Sequence, residues 1–189
     1  PYQSLNPRQY IIDIVAEPLD VNGLVDTAAQ RGERVKRALS QAGLQPPEDF
    51  LYRYPYELSG GQRQRAALAS SLILGPQFVV ADEPVSMLDA SIRTGIVKLM
   101  LKQRDERGIA YLFITHDLSL AWLISDRIAI MYLGKIVEIG AADEIIRRGL
   151  HPYTKALVNI MPVPGVERAQ KRSLLAGDIP SAASFIPGC

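Results

Sequence analysis

Two short apolar runs, each ending in charged residues and separated by one amphipathic stretch, constrain the fold of this chain most. Phe78-Val79-Val80-Ala81 leads into Asp82-Glu83-Pro84, and Ala110–Thr115 leads into His116-Asp117. Between them, residues from about Ser91 to Arg107 carry Ile92, Ile96, Leu99 and Met100 on one helical stripe, which stops at Gly108. Apolar strands without polar alternation, joined by a helical crossover, read as parallel neighbours with helices on the sheet faces. A third run, Arg127–Tyr132, turns at Leu133-Gly134 into Lys135–Ile139. The expected class is α/β, a mainly parallel sheet flanked by helices. In such sheets ligands sit beyond the carboxyl ends of the strands, and Asp82, Glu83 and His116 all fall there.

The rest of the chain reads as helices broken by turns. Asn6-Pro7 opens a predicted helix over about Arg8–Glu17, with Tyr10, Ile11, Ile14 and Val15 on one face and Pro18 as its stop. A second, over about Glu33–Ala42, places Val35, Ala38, Leu39 and Ala42 inward and ends at Gly43. Pro46-Pro47 and an aromatic stretch to Tyr56 follow, so residues 1–57 form a small helical unit. A third predicted helix spans about Gly60–Leu74 and ends at Gly75-Pro76. Past Gly140, a helix over Ala142–Arg148, the stretch His151-Pro152-Tyr153-Thr154 and a short helix to Met161 precede a Pro-, Ser- and Gly-rich extension over 162–189. Three divisions are expected: 1–57, 58–140 and 141–189.

Composition sets the class of chemistry. The net charge of the 189 residues is +1, which gives no global field for nucleic acid. One cysteine, Cys189, leaves no pair for an internal disulfide. The longest apolar stretch, Ile109–Ile124, contains His116 and Asp117, too polar for a bilayer span. The chain opens on Pro1 and closes at Cys189, which reads as an internal piece of a longer protein. Trp122 reads as core, His151 as packing, and Arg63 and Arg65 as solvated or interface residues.

The candidate chemistry lies in three places. In Leu58-Ser59-Gly60-Gly61-Gln62, Ser59 suits an N-cap and two glycines leave the first helix amides bare, which is what an anion needs at a helix start. Ser-Gly-Gly alone also fits an ordinary capped helix. In Asp82-Glu83, the first carboxylate suits Mg²⁺ with phosphate oxygens, and the second suits a general base for an attacking water. An exposed acidic strand end is the plain alternative. Ser86-Met87-Leu88-Asp89 then makes a tight turn, and His116 brings an imidazole to the next strand end.

Together these resemble the ATP-binding cassette (ABC) ATPases. Leu58–Gln62 resembles their signature motif, Asp82-Glu83 their Walker B carboxylates, Ser86–Asp89 their D-loop and His116 their switch histidine. Pro1–Arg8, Asp126–Gly134, His151–Thr154 and the Pro180-Ser181 and Pro187-Gly188-Cys189 tail resemble the oligopeptide and dipeptide importer group. The resemblance implies a P-loop NTPase-like ABC core, here partial, with a helical subdomain and an importer-type C-terminal extension. It implies ATP and Mg²⁺ as cofactors. Ser59, Gly60, Gly61 and Gln62 would contact ATP across a dimer, Asp82 would associate with Mg²⁺, Glu83 would be the base and His116 the γ-phosphate sensor. Asp89 would lie at the dimer interface.

The implied partners are a second ABC ATPase subunit, membrane permease subunits and, indirectly, an external solute-binding protein, with the chain peripheral at the cytoplasmic face of the membrane. Peptides or related small solutes such as nickel are the implied cargo. No G-x-x-x-x-G-K-[ST] stretch occurs in the 189 residues, so this piece alone is expected to be nearly inactive. Val85, Met87 and Ser70-Ser71 depart from common family residues. Two other readings are a non-transport ABC ATPase of DNA repair or chromosome organisation, and a non-catalytic partner fragment. The first is disfavoured because 8–57 is too short and proline-broken for a coiled coil.

Overall fold

The computed structural model describes residues 5–86 and 88–161, in two compact units that divide at Ile114/Thr115. The expected extension over 162–189, Pro1–Ser4 and Met87 lie outside the described residues.

In the first unit, helix α1 (Ile11–Val21) packs against α2 (Ala28–Gln41) and α3 (Gly60–Leu72), with 3₁₀ turns at Pro47–Asp49 and Pro55–Glu57 between. Their shared core holds Ile11, Val15, Val35 and Leu39, all fully buried, and it continues without a break into Leu58, Ala66 and Ala69. Strand β1 (Phe78–Asp82), helix α4 (Ala90–Arg107) and strand β2 (Ala110–Ile114) follow. β1 and β2 pair in parallel, Phe78 opposite Ala110 through Asp82 opposite Ile114, so the expected crossover is present. Gly108 ends α4 in the left-handed region at φ +67°, a conformation that glycine adopts without a Cβ penalty.

Pro18 does not stop the first helix. It lies inside α1, which begins at Ile11 and runs to Val21. A proline here removes the amide that would donate to the carbonyl of Ile14, four residues back. That carbonyl belongs to a residue only 5% exposed, and the Ser70 hydroxyl of α3 donates to it at 3.2 Å. Leu19, fully buried, holds the turn beyond the proline in the core. The second helix starts five residues earlier than expected, because Thr27 caps it: its hydroxyl accepts from the Gln30 amide at 3.2 Å.

The strands are not apolar-buried on both faces. Phe78, Val80, Leu112 and Ile114 are each 45–57% exposed, since α3 and α4 cover one side of β1–β2 and no other described layer of this unit covers the opposite side.

The second unit holds α5 (Leu118–Ile124), β3 (Arg127–Tyr132), β4 (Lys135–Ala141), α6 (Ala142–Arg148) and α7 (Pro152–Ile160). β3 and β4 form an antiparallel hairpin closed by Leu133 (φ +46°) and Gly134 (φ +76°), the two left-handed residues of a tight hairpin turn. The core packs Ile128 and Ile130 against Ala142, Ile145, Ile146 and Met161. Helix α5 has no counterpart among the sequence expectations. Asp117 caps it, its carboxylate accepting from the Leu120 amide at 3.1 Å. Trp122 packs against this core half-buried, with its indole N–H donated to Asp143 at 2.8 Å.

Candidate functional site

The helix start at Ser59 is a reciprocal cap. Its hydroxyl accepts from the Gln62 amide at 3.3 Å, and the Gln62 side-chain oxygen accepts from the Ser59 amide at 2.9 Å. A helix leaves its first four amides without helical acceptors. The cap uses those of Ser59 and Gln62, and among the described residues nothing accepts from those of Gly60 and Gly61. Gly61 also has a packing reason to be glycine: an added Cβ would lie 2.7 Å from Ile92 Cγ2 of α4.

Arg63 and Arg65, expected to be solvated or at an interface, are half-buried and hold backbone. The Arg63 guanidinium donates to the carbonyls of Leu58 (2.9 Å) and Pro55 (3.3 Å), tying the approach loop to the helix. That of Arg65 donates to the Ala42 carbonyl at 2.9 Å and lies against Gly43, closing the end of α2. Positively charged side chains at helix carboxyl ends satisfy the last carbonyls in this way. The stretch from Ser59 to Arg65 is thus a braced helix start, each polar side chain but Gln64 holding backbone.

Gln64 is 9% exposed, and its amide oxygen has no hydrogen-bond partner among the described residues. It lines a hollow of about 190 Å³ between α3, β1 and α4 that Asp82 also borders. Sequence reasoning passed over it; a glutamine on the inward stripe of a helix was the available signal.

Asp82 is the last residue of β1 and is exposed. Glu83 follows with φ +44°, a left-handed backbone that costs a non-glycine residue roughly 1–2 kcal/mol. Neighbours over-determine it. Its amide donates to the Ile114 carbonyl at 2.9 Å, extending the parallel ladder by one bond. Its carbonyl accepts from the Ser86 amide at 3.2 Å and the Ser86 hydroxyl at 2.8 Å. Strain of this kind, held by surrounding bonds, clusters at functional sites.

Asp89 takes the N-cap position of α4 with its main chain, the carbonyl accepting from the Arg93 amide at 2.8 Å, while its exposed carboxylate makes no cap bond. His116 is exposed and belongs to the second unit. The structure therefore joins Asp82 and Glu83 at one strand end and builds Ser59–Gln62 at a separate helix start.

In comparisons with known proteins, the ABC transporter family model matches residues 3–86, and the model of the oligopeptide/dipeptide transporter C-terminal region matches residues 137–189. The chain carries an ABC transporter domain segment and an oligopeptide/dipeptide transporter C-terminal segment. The first match contains Ser59–Gln62, Asp82 and Glu83; Asp89 and His116 fall between the two. The oligopeptide transport ATP-binding protein OppF of Bacillus subtilis (strain 168) is 48% identical over 172 residues, 91% of this chain and 56% of that protein. OppF of Streptococcus mutans is 50% identical over 164 residues, 87% of this chain and 53% of that protein. The chain thus spans a little over half the length of these curated relatives. The solved dimeric, post-hydrolysis structure of the ATP-binding cassette MJ0796 bound to ADP and Pi matches with a TM-score of 0.65 at 29% identity. That match covers 74% of this chain and 60% of the other.

The ABC residues present fit a nucleotide with its metal. Two glycine amides without acceptors suit phosphate oxygens. Among the described residues no group of three or more His, Cys, Asp or Glu could hold a metal ion. An exposed carboxylate such as Asp82 suits Mg²⁺, which keeps waters and takes phosphate oxygens for most of its ligands. No described helix is long and apolar enough to cross a membrane.

Proposed function

We propose that this chain is the signature-bearing part of the ATP-binding, ATP-hydrolysing subunit of an ABC importer for oligopeptides or related small solutes. The observation that carries the reading is the 48% identity to an oligopeptide transport ATP-binding protein over 91% of the chain. The strained Glu83 at the β1 end and the acceptor-free amides of Gly60 and Gly61 support it from the geometry.

In this reading Ser59, Gly60, Gly61 and Gln62 contact ATP phosphates held mainly by a second ABC ATPase subunit, and Asp82 helps hold Mg²⁺. The metal, when bound, would neutralise phosphate charge. Glu83 accepts the proton of the attacking water as that water bonds to the γ-phosphorus and the bond from that phosphorus to the β–γ bridging oxygen breaks, with ADP and inorganic phosphate as products, and His116 senses the γ-phosphate. Asp89 faces the second subunit. The helical segment 8–57 meets the permease subunits at the cytoplasmic face of the membrane. Its surface tyrosines favour a protein contact: Tyr54 and Tyr56 stack at 5.3 Å, Tyr10 lies 4.5 Å from Tyr54, and Tyr52 and Tyr56 are 70% and 68% exposed.

The test is a graft. This chain replaces the matching segment of Bacillus subtilis OppF, and ATP turnover and peptide uptake are measured with and without Glu83→Gln. The expected result is turnover and uptake in the graft, with turnover lost and ATP binding retained in the variant. Turnover indifferent to Glu83→Gln would overturn the catalytic assignment, and a folded graft that hydrolyses ATP without moving peptide would overturn the transport assignment.

A further inference from the structure

A groove of about 310 Å³ opens between α2, the end of α3 and the end of α4, away from the residues given roles above. Its floor includes Ala38 (5% exposed), Leu72 (5%) and half-buried Ile73; Arg34, Arg37 and Arg107 stand around it. Three guanidinium groups around an apolar floor are a charge arrangement with a cost, unless anions compensate them.

The nearby carboxylates do not. Glu33 and Glu48 both engage Lys36, at 3.1 and 3.7 Å; Asp105 engages Arg104 at 2.8 Å; Glu106 engages Lys102 at 3.8 Å. Among the described residues no carboxylate forms an ion pair with Arg34, Arg37 or Arg107. Arg34 donates to the Leu24 carbonyl at 3.1 Å, which fixes its stem and leaves its charge uncompensated.

We propose that this groove docks an acidic amphipathic segment of a partner polypeptide, with an apolar side chain on the floor and Asp or Glu side chains on the arginines. Arginine pairs carboxylates through two parallel hydrogen bonds, and it is enriched where interfaces desolvate charge. A bare inorganic anion would leave the apolar floor unused; the floor is what favours a polypeptide. The site needs no nucleotide, so its test stands apart from the function proposed above.

The probe is a fluorescein-labelled helical peptide carrying leucines on one face and glutamates beside them, titrated with the full 189-residue chain and followed by anisotropy. Its glutamine counterpart is the neutral control. Binding of the glutamate peptide is expected to weaken about fivefold to tenfold in Arg37→Gln/Arg107→Gln, two exposed positions whose side chains hold no other element. Raising ionic strength from about 0.01 to about 0.15 M, which shortens screening from about 30 to about 8 Å, is expected to weaken it as well. Equal binding of the glutamine peptide, or an unchanged affinity in a variant with native circular dichroism, would overturn the proposal. So would arginine-dependent binding to phosphatidylglycerol vesicles with none to the peptide, which would make the surface a lipid contact.

Discussion

Glycine 61 carries two demands at once, an unshielded amide beside a candidate phosphate and a backbone pressed to Ile92. Gly61→Ala places a methyl 2.7 Å from Ile92 Cγ2 and is expected to destabilise the chain by about 1–3 kcal/mol in urea denaturation. Ile92→Ala in the same chain should return part of that loss. An unchanged midpoint for Gly61→Ala would remove the packing demand. At this scale the sequence was partly legible. Ser59 as a cap and Asp82-Glu83 at a strand end follow from residue type and spacing. The left-handed Glu83 does not, because glutamate, unlike Asp or Asn, has no intrinsic preference that signals φ +44°. The backbone contacts of Arg63 and Arg65 were not legible, because their acceptors are carbonyls up to 23 residues away in the chain.

Between elements, the decisive device is the proline inside α1 and the hydroxyl that repairs it. Ser70→Ala would leave the buried Ile14 carbonyl without its donor, at a cost of about 1–3 kcal/mol. Pro18→Ala restores a backbone amide to that carbonyl, so Ser70→Ala should cost far less in that background; additive losses in the double-mutant cycle would refute the coupling. Proline as a helix stop is a sound local rule, overridden here by Leu19 burial and a partner 56 residues on, which no local pattern encodes. Two missed helix limits were legible: Thr27 three residues before Gln30, and Asp117 three before Leu120, are cap spacings.

A second device joins β4 to α7. The Glu138 carboxylate accepts from the amides of Leu150 (2.7 Å) and His151 (3.1 Å), and His151 Nδ1 accepts from the Tyr153 amide at 3.1 Å to cap α7. Burial alone would push the Glu138 carboxyl up. The Thr154 hydroxyl, directed at it without ordinary hydrogen-bond geometry, the two amides and the nearby His151 outweigh burial and hold it below the usual range. The unfolded chain therefore takes up this proton first as pH falls. The stabilisation is present above the unfolded value of about 4.3 and disappears as pH drops through the lower, folded one. Glu138→Gln should flatten this acid limb of a stability–pH curve; an unaltered limb would show that the clamp contributes nothing.

At the scale of the whole molecule, the class α/β and the parallel pairing of β1 with β2 were readable from unalternating apolar runs around a helix. The one-sided exposure of those strands was not, since the pattern states that both faces are apolar without stating what covers them. Phe78, Val80, Leu112 and Ile114 make a stripe across a two-stranded parallel sheet. A contiguous apolar surface of this kind is unusual on a protein stable alone in water. The 189-residue chain is expected to enhance the fluorescence of an apolar dye such as ANS, and Val80→Thr/Leu112→Thr to reduce it without loss of helix signal. No enhancement would mean that the stripe is covered in solution. In colloidal terms the consequence is attraction between copies: light scattering should rise with concentration faster than for an ideal solute, and the threonine pair should restore ideal behaviour.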